Sequence, residues 1–287
     1  MTQIDVLVAV RDEEQSIPAF IERIDNLHLP EDVRLKLVFV EDSSTDETRP
    51  LLRRLAAERD DIGYAFLRRG FGQGIALSFA LSRSTADAMV MMDVDGSHPP
   101  EAIPDLVSAY MAGAQVVQCV RRSLSDRKTY RSLGAALFHR LSRLVFGIDF
   151  AEQNIFYRLV SKSIAAMILS ESRYWPYLRF PLPTEPAGAT IFVEVDSEER
   201  TVGESKYNLL RLITLAIDGV LSLISKVRAV SLTAAVILMS ALFAGTNLWP
   251  LSIMTLGILG RLGFRYFEMG RGDAFQRIEV VESAHFE

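Results

Sequence analysis

Three short apolar runs, Ile4 to Val10, Leu35 to Val40 and Ala88 to Met92, each stop on acidic residues, and no other feature constrains the fold as much. The acidic clusters are Asp12-Glu13-Glu14, then Glu41-Asp42 leading into Ser43-Ser44-Thr45-Asp46, and Asp93-Val94-Asp95. Runs of this length, rich in branched and aromatic side chains, predict buried strands. Helical patterns lie between them: one opened by the first acidic cluster and carrying Phe20, Ile21 and Ile24, one from about Glu47 to Arg59, and one over Ile75 to Ser82. With a further strand at Ile62 to Leu67, the alternation predicts an α/β chain with a mostly parallel, doubly wound sheet. Ligands of such sheets collect outside the carboxyl ends of the strands, so the three clusters are expected to converge on one crevice.

Beyond the third cluster the sequence predicts a helix from Glu101 to Met111 and a strand from Gln115 to Val120. A basic segment then runs from Arg121-Arg122 to Arg131, Leu133 to Phe146 has helical periodicity, and a proline-rich loop spans Tyr174 to Gly188. Ile191 to Asp196 reads as the last strand.

The net charge of −5 supplies no basic excess, so nucleic acid is not an expected partner and any phosphate must be met by local charges or a metal. Cys119 is the only cysteine, which excludes an intrachain disulfide and a cysteine-rich metal cluster and predicts a buried thiol. The start, Met1-Thr2-Gln3-Ile4-Asp5, lacks the basic stretch and apolar run of a secretory signal, so the catalytic part is expected on the cytoplasmic side.

After residue 207 the composition shifts. Asn208 to Arg228 alternates apolar turns with Arg211, Asp218, Lys226 and Arg228, the pattern of an amphipathic interfacial helix. Ala229 to Gly260 carries no charge, with breaks at Gly245-Thr246-Asn247 and Pro250. One spanning helix needs about 20 residues and two about 40, so this is a tight hairpin or one span and part of another. Lys226 and Arg228 before it, and Arg261, Arg265 and Arg271 after it, place both flanks on the cytoplasmic side under the positive-inside rule. A hydrophobic hairpin packed on the domain or making a homo-oligomer contact is the alternative. The expected organisation is a catalytic domain over 1–207, an interfacial helix over 208–228, a hydrophobic transmembrane hairpin over 229–268 and a cytoplasmic tail over 269–287.

Two aspartates one residue apart at a strand end offer oxygen ligands to a hard cation such as Mg2+ or Mn2+, and such a cation stabilises the charge on a departing diphosphate. On that chemistry Asp95 is the first choice for the metal and Asp93 for the nucleotide side. Alone, an acidic pair after a strand is a common turn. Gly70-Phe71-Gly72-Gln73-Gly74 lacks the spacing of a P-loop or a dinucleotide fingerprint and reads as a loop that passes close to a nucleotide. His98, followed by Pro99-Pro100, reads more readily as loop-shaping than as a metal ligand. His28, His139 and His285 are scattered and support no zinc site.

The ordered set Val8-Ala9-Val10-Arg11-Asp12-Glu13-Glu14, Val40-Glu41-Asp42-Ser43-Ser44-Thr45-Asp46 and Asp93-Val94-Asp95-Gly96-Ser97-His98 resembles the inverting family-2 glycosyltransferases of GT-A fold. It looks most like their dolichyl-phosphate-mannose synthase and polyprenyl-phosphate glycosyltransferase branch. The resemblance implies that Glu13 and Asp42 contact base and ribose, that Asp93 and Asp95 serve diphosphate and metal, and that Ser97 stands where the family often has a metal-completing Gln. It implies that Arg121 and Arg131 clamp an acceptor phosphate or the leaving diphosphate, and that Arg200 and Lys206, in Arg200-Thr201-Val202-Gly203-Glu204-Ser205-Lys206, meet donor or acceptor phosphates.

Two departures stand out. Cys119-Val120 replaces the family's Gly-Ser before the arginine, a change expected to narrow the sugar pocket or alter the sugar, and Glu152 stands where the branch has Asp before Gly-Phe-Arg. The implied function is metal-dependent transfer of a hexose from a UDP- or GDP-sugar to a polyprenyl phosphate at the membrane. Alternatives are transfer to a hydroxyl acceptor, with Glu152 as base, and a non-catalytic nucleotide-sugar binder. The nearest run to a processive synthase motif, Ser170-Glu171-Ser172-Arg173-Tyr174-Trp175, does not match it.

Overall fold

The computed structural model describes residues 1–122, 154–170, 190–196 and 278–286. The strands are β1 (Thr2–Val10), β2 (Val33–Glu41), β3 (Ile62–Leu67), β4 (Ala88–Met91), β5 (Val116–Arg121), β6 (Asn154–Ser161), β7 (Thr190–Val195) and β8 (Val280–Ala284). The helices are α1 (Ser16–Asp25), α2 (Thr48–Glu58), α3 (Gln73–Arg83), α4 (Ile103–Met111) and α5 (Lys162–Ser170), with a single 3₁₀ turn, Pro100–Ala102, leading into α4. The amphipathic and hydrophobic segments expected over 208–268 lie outside the described residues. Among the described residues no helix is long and apolar enough to cross a membrane.

The eight strands form one sheet in the order β7-β5-β6-β4-β1-β2-β3-β8. β1, β2, β3 and β4 are mutually parallel, and β7 is parallel to β5; β6 runs antiparallel between β4 and β5, and β8 antiparallel to β3. The sheet is therefore mostly parallel, as expected. It is also apolar on both faces, which the continuous runs of β1 and β4 require. One face packs Phe20, Ile21 and Ile24 of α1, Leu52 of α2 and Leu106 of α4 onto Val6, Val8 and Phe39. The other packs Leu77 and Phe79 of α3 and Ile164 of α5 onto Leu7, Met89 and Met91.

Three readings are corrected. The acidic cluster after β1 does not open α1, which starts at Ser16, because the cluster is used in the turn described below. Asn154–Ser161, read only as a motif, is an interior strand whose Tyr157 and Leu159 are fully buried. Nor is the strand at Thr190–Val195 the last: Val280–Ala284, in the segment read as a tail, joins the sheet beside β3. An edge strand of five residues with Glu282 and Ser283 in it has no apolar period to reveal it.

Side chains and close backbone approach hold β8. Arg53 forms a two-pronged pair with Glu282 (2.6 and 2.8 Å), and the Tyr64 hydroxyl donates to the same carboxylate (2.7 Å). These donors, Arg53 first, hold the Glu282 carboxyl at about 2, below its ordinary 4.5. A side chain on Gly63 would start 2.3 Å from the His285 carbonyl oxygen, so only glycine admits β8 at this spacing. Because the folded-state pKa is depressed, the Glu282 contribution is complete above pH 4.5 and is lost as pH falls toward about 2. Gly63→Ala and Glu282→Ala are both expected to release β8. Amide exchange over Tyr64 to Leu67 should then rise while β1 stays protected; unchanged exchange would show that other contacts hold the strand.

Candidate active site

The parallel strands deliver their carboxyl ends to one rim, and the loops there are tied to one another by the acidic clusters themselves. Asp12 has a φ of 54° and its carboxylate accepts from the Thr45 N–H (2.7 Å), while its own N–H donates to Ser44 Oγ (2.9 Å). The Glu13 N–H donates to Thr48 Oγ1 (3.0 Å), the Glu14 N–H to Asp46 (3.1 Å), and the Glu47 N–H to the Glu14 carboxylate (2.8 Å). The turns after β1 and β2 are thus laced together, and backbone donors of two loops are satisfied without a helix. The Glu13 carboxylate accepts from Ser16 Oγ (2.7 Å) at the start of α1.

Glu41 is fully buried and ion-paired with Arg49, whose guanidinium also donates to the Leu67 carbonyl (2.8 Å) and lies over the Phe66 ring. This pair fastens the end of β2 to the end of β3. Asp42, next along, turns its carboxylate to the glycine-rich loop: Oδ1 accepts from the Phe71 N–H (2.6 Å) and Oδ2 from the Gly72 N–H (2.8 Å). Gly72, at φ 89°, holds a conformation that suits glycine and starts α3. Helix α3 then begins with Gln73, whose Nε2 donates to Asp93 Oδ1.

Asp93 is anchored from a second side. Its N–H donates to His98 Nδ1 (2.8 Å), and the His98 ring stacks on Tyr157 at 5.3 Å between centroids. Tyr157 in turn donates its hydroxyl to the Pro99 carbonyl (3.0 Å). His98 therefore shapes the loop through its Nδ1. Asp95 Oδ1 accepts from both the N–H (3.1 Å) and the hydroxyl (2.6 Å) of Ser97, so Ser97 orients the carboxylate. Asp95 lines a cleft with Gln15, just ahead of α1, and Ser16 and Ala19 of α1, and the Arg23–Glu101 pair (2.7 Å) joins α1 to the turn before α4 beside it.

Of the sequence-derived site residues, Glu13, Asp42, Asp93, Asp95 and Ser97 gather at this rim, and Arg121 lies exposed at the end of β5. Arg131, Glu152, Arg200 and Lys206 lie outside the described residues. Cys119 packs into the core on the α4 side as the buried thiol expected of it, and burial pushes that thiol up to about 12. Gln73 and Arg49 were missed. A glutamine at the first position of a helix after a glycine loop is the signal that marks Gln73; the Glu41–Arg49 pairing has no local signature.

Among the described residues no group of three His, Cys, Asp or Glu side chains forms a metal cage. The donors present, the carboxylates of Asp93 and Asp95 and the Ser97 hydroxyl, are all hard oxygens. That set suits a magnesium- or manganese-type ion whose remaining shell comes from phosphate and water.

The fold and rim define a class: an α/β sheet of GT-A type with an acidic turn at the end of its central strand. The chain belongs to glycosyl transferase family 2, whose model matches residues 5–166, from β1 into α5. It is similar to an undecaprenyl-phosphate 4-deoxy-4-formamido-L-arabinose transferase of Aeromonas hydrophila, 30% identical over 219 residues, 75% of this chain and 66% of that protein. It is also similar to a prophage bactoprenol glucosyl transferase homolog of Escherichia coli, 28% identical over 220 residues, 77% of this chain and 72% of that protein. The chain thus spans about two-thirds of these relatives' length. A crystal structure of glucosyl-3-phosphoglycerate synthase from Mycobacterium tuberculosis with Mn2+ and uridine diphosphate superposes with a TM-score of 0.49 at 18% identity, covering 77% of this chain and 78% of that one.

If His98 clamps the turn, His98→Ala strands the Asp93 N–H and should cost about 1–3 kcal/mol, the penalty of a buried donor without an acceptor. Urea unfolding of the two proteins measures it; equal midpoints would remove the clamp.

Proposed function

We propose that the protein is an inverting glycosyltransferase that moves a hexose from a UDP- or GDP-sugar to a polyprenyl phosphate at a membrane surface. The observation that carries the proposal is the acidic turn Asp93–Asp95, held at the crevice rim by Gln73, His98 and Ser97. The relatives named as undecaprenyl-phosphate and bactoprenol transferases supply the acceptor class.

On this reading Glu13 and Asp42 face base and ribose, and the loop pinned by Asp42 forms the floor under the nucleotide. Asp93 stands on the diphosphate side, and Asp95 holds the cation with Ser97 beside it. When bound, the ion neutralises charge that builds on the departing diphosphate. Arg121, and with it Arg131, Arg200 and Lys206, supplies guanidinium and ammonium donors to phosphate oxygens. An oxygen of the lipid phosphate attacks the anomeric carbon as the bond to the nucleoside diphosphate breaks from the opposite face, which inverts the centre. The acceptor is already an anion, so the chain needs to orient it more than to deprotonate it. We assign the catalytic body to residues 1–207 together with β8, and membrane attachment to residues 208–268.

The test is transfer of radiolabelled hexose by the purified full chain, offered undecaprenyl phosphate beside a hydroxyl glycolipid. Product on the lipid phosphate is expected, and Asp95→Asn should lower the rate at least about 100-fold, the scale of losing one charge-stabilising group. A near-normal rate in that variant would sink the assigned role of Asp95. Product on the hydroxyl acceptor alone would make Glu152 the base to examine.

A further inference from the structure

The loop that carries Phe71 and Gly72 is fastened at both ends. Asp42 holds its far end through the Phe71 and Gly72 N–H groups. The residue ahead of β8 holds its near end: the Arg68 N–H donates to the Glu279 carbonyl (2.9 Å), and the Arg68 guanidinium pairs with the Glu279 carboxylate. Arg69 and Gly70 are all that lies between the two fastenings, so a shift at one end is passed to the other. The ladder changes at the same point. Phe66 lies opposite Glu282 and Leu67 opposite Val280, so β8 spends the exposed Val281 on a bulge where β3 gives way to the loop. Bulges end regular pairing and re-aim the chain, and they gather beside functional sites.

The same segment also braces α3. Ile278, ahead of β8, is buried in the apolar cluster that holds Ala76 and Leu77 of α3, and Phe71 and Ile75 pack against that cluster too. Phe286, after β8, stacks on Phe79 of α3, with 5.5 Å between ring centroids and 16° between planes. The helix held in this way begins with Gln73, which donates to Asp93. Residues 278–286 therefore support both the loop under the proposed nucleotide and the helix that orients the acidic turn.

We infer that β8 is a positioning element of the donor site: its attachment to β3 and α3 sets how tightly the crevice holds a nucleoside diphosphate with its cation. The inference rests on the donor reading proposed above. Detaching β8 frees the near end of the loop, so Phe71 and Gly72 regain backbone freedom and Gln73 loses its fixed place beside Asp93. The site must then order itself when nucleotide arrives, and that ordering lowers the affinity. Linkage makes the coupling reciprocal, so bound nucleotide holds β8 more firmly by the same factor. Glu279, Glu282 and Phe286 act on the donor through Arg68, Arg53 and Phe79, not by touching it.

Two variants of the full chain loosen β8 from different sides. Gly63→Ala sets a methyl against the His285 carbonyl, and Phe286→Ala takes the ring off α3. Arg59→Ala is the control for general loss of stability, because it removes ion pairs to Asp25 and Asp61 at the amino ends of the strands, away from the crevice. Titration calorimetry with UDP and with GDP, in manganese, reads the affinity. Both β8 variants should lose at least about fivefold for whichever nucleotide the unmodified chain binds, the low end of a coupling between sites. Arg59→Ala should bind as the unmodified chain does although its urea midpoint falls. In hexose transfer the β8 variants should raise the donor KM and leave kcat unchanged, the pattern of lost binding as opposed to lost active protein. In the unmodified chain, saturating nucleotide should slow amide exchange over Val280 to Ala284. Unchanged affinity in a variant whose β8 amides exchange faster would overturn the inference, as would a loss that Arg59→Ala shares, or exchange in β8 that nucleotide does not alter. Binding of neither nucleotide to the unmodified chain would overturn the donor reading and the inference with it.

Discussion

The crevice depends on one buried carboxylate. Asp42, at the end of β2, takes the N–H groups of Phe71 and Gly72, and that fixes where α3 begins. Where α3 begins decides where Gln73 lies, and Gln73 holds Asp93. The relay continues on the far side of Asp93 through His98, which stacks on Tyr157 of β6, so strands β2, β4 and β6 are linked by side-chain contacts as well as by the sheet. An unpaired buried carboxylate would be costly; here each of its oxygens meets a backbone donor, and the cost becomes positional order.

This arrangement divides labour among the acids. Asp12, Glu14 and Glu41 tie loops together, while Asp93 and Asp95, both largely buried in the turn after β4, are each oriented by a neighbouring side chain. Fixing one oxygen of a carboxylate orients the other, which is what an ion or a diphosphate–ion pair requires of its protein ligands. The core beneath is apolar on both faces of the sheet, so the rim cannot tilt without disturbing helices on either side.

The first half of the fold was legible because β1 to β5 are apolar runs bounded by turn residues, and their parallel order follows from the intervening helices. Asp93-Val94-Asp95 was legible for the same reason: its place at a strand end, more than its composition, set it apart. Less legible were features that arise only in three dimensions. Glu13 read as the ligand group of its cluster, but nothing local showed that the carboxylates beside it, Asp12 and Glu14, would be taken up by the backbone N–H groups of Thr45 and Glu47. β8 stayed hidden because its partner lies more than 200 residues away and its bonds run through Glu282, Arg53 and Gly63, none of which carries a local pattern.

These elements describe an acidic crevice at the carboxyl rim of a family-2 glycosyltransferase domain, which we propose takes a nucleoside diphosphate together with a divalent ion. Calorimetric titration of the purified full chain with UDP and with GDP, in manganese and again in chelator, tests that account most directly. One nucleotide should bind with manganese present and lose at least about tenfold in affinity, roughly 1.4 kcal/mol, without it. Equal affinity in chelator, or no binding of either nucleotide, would contradict the account.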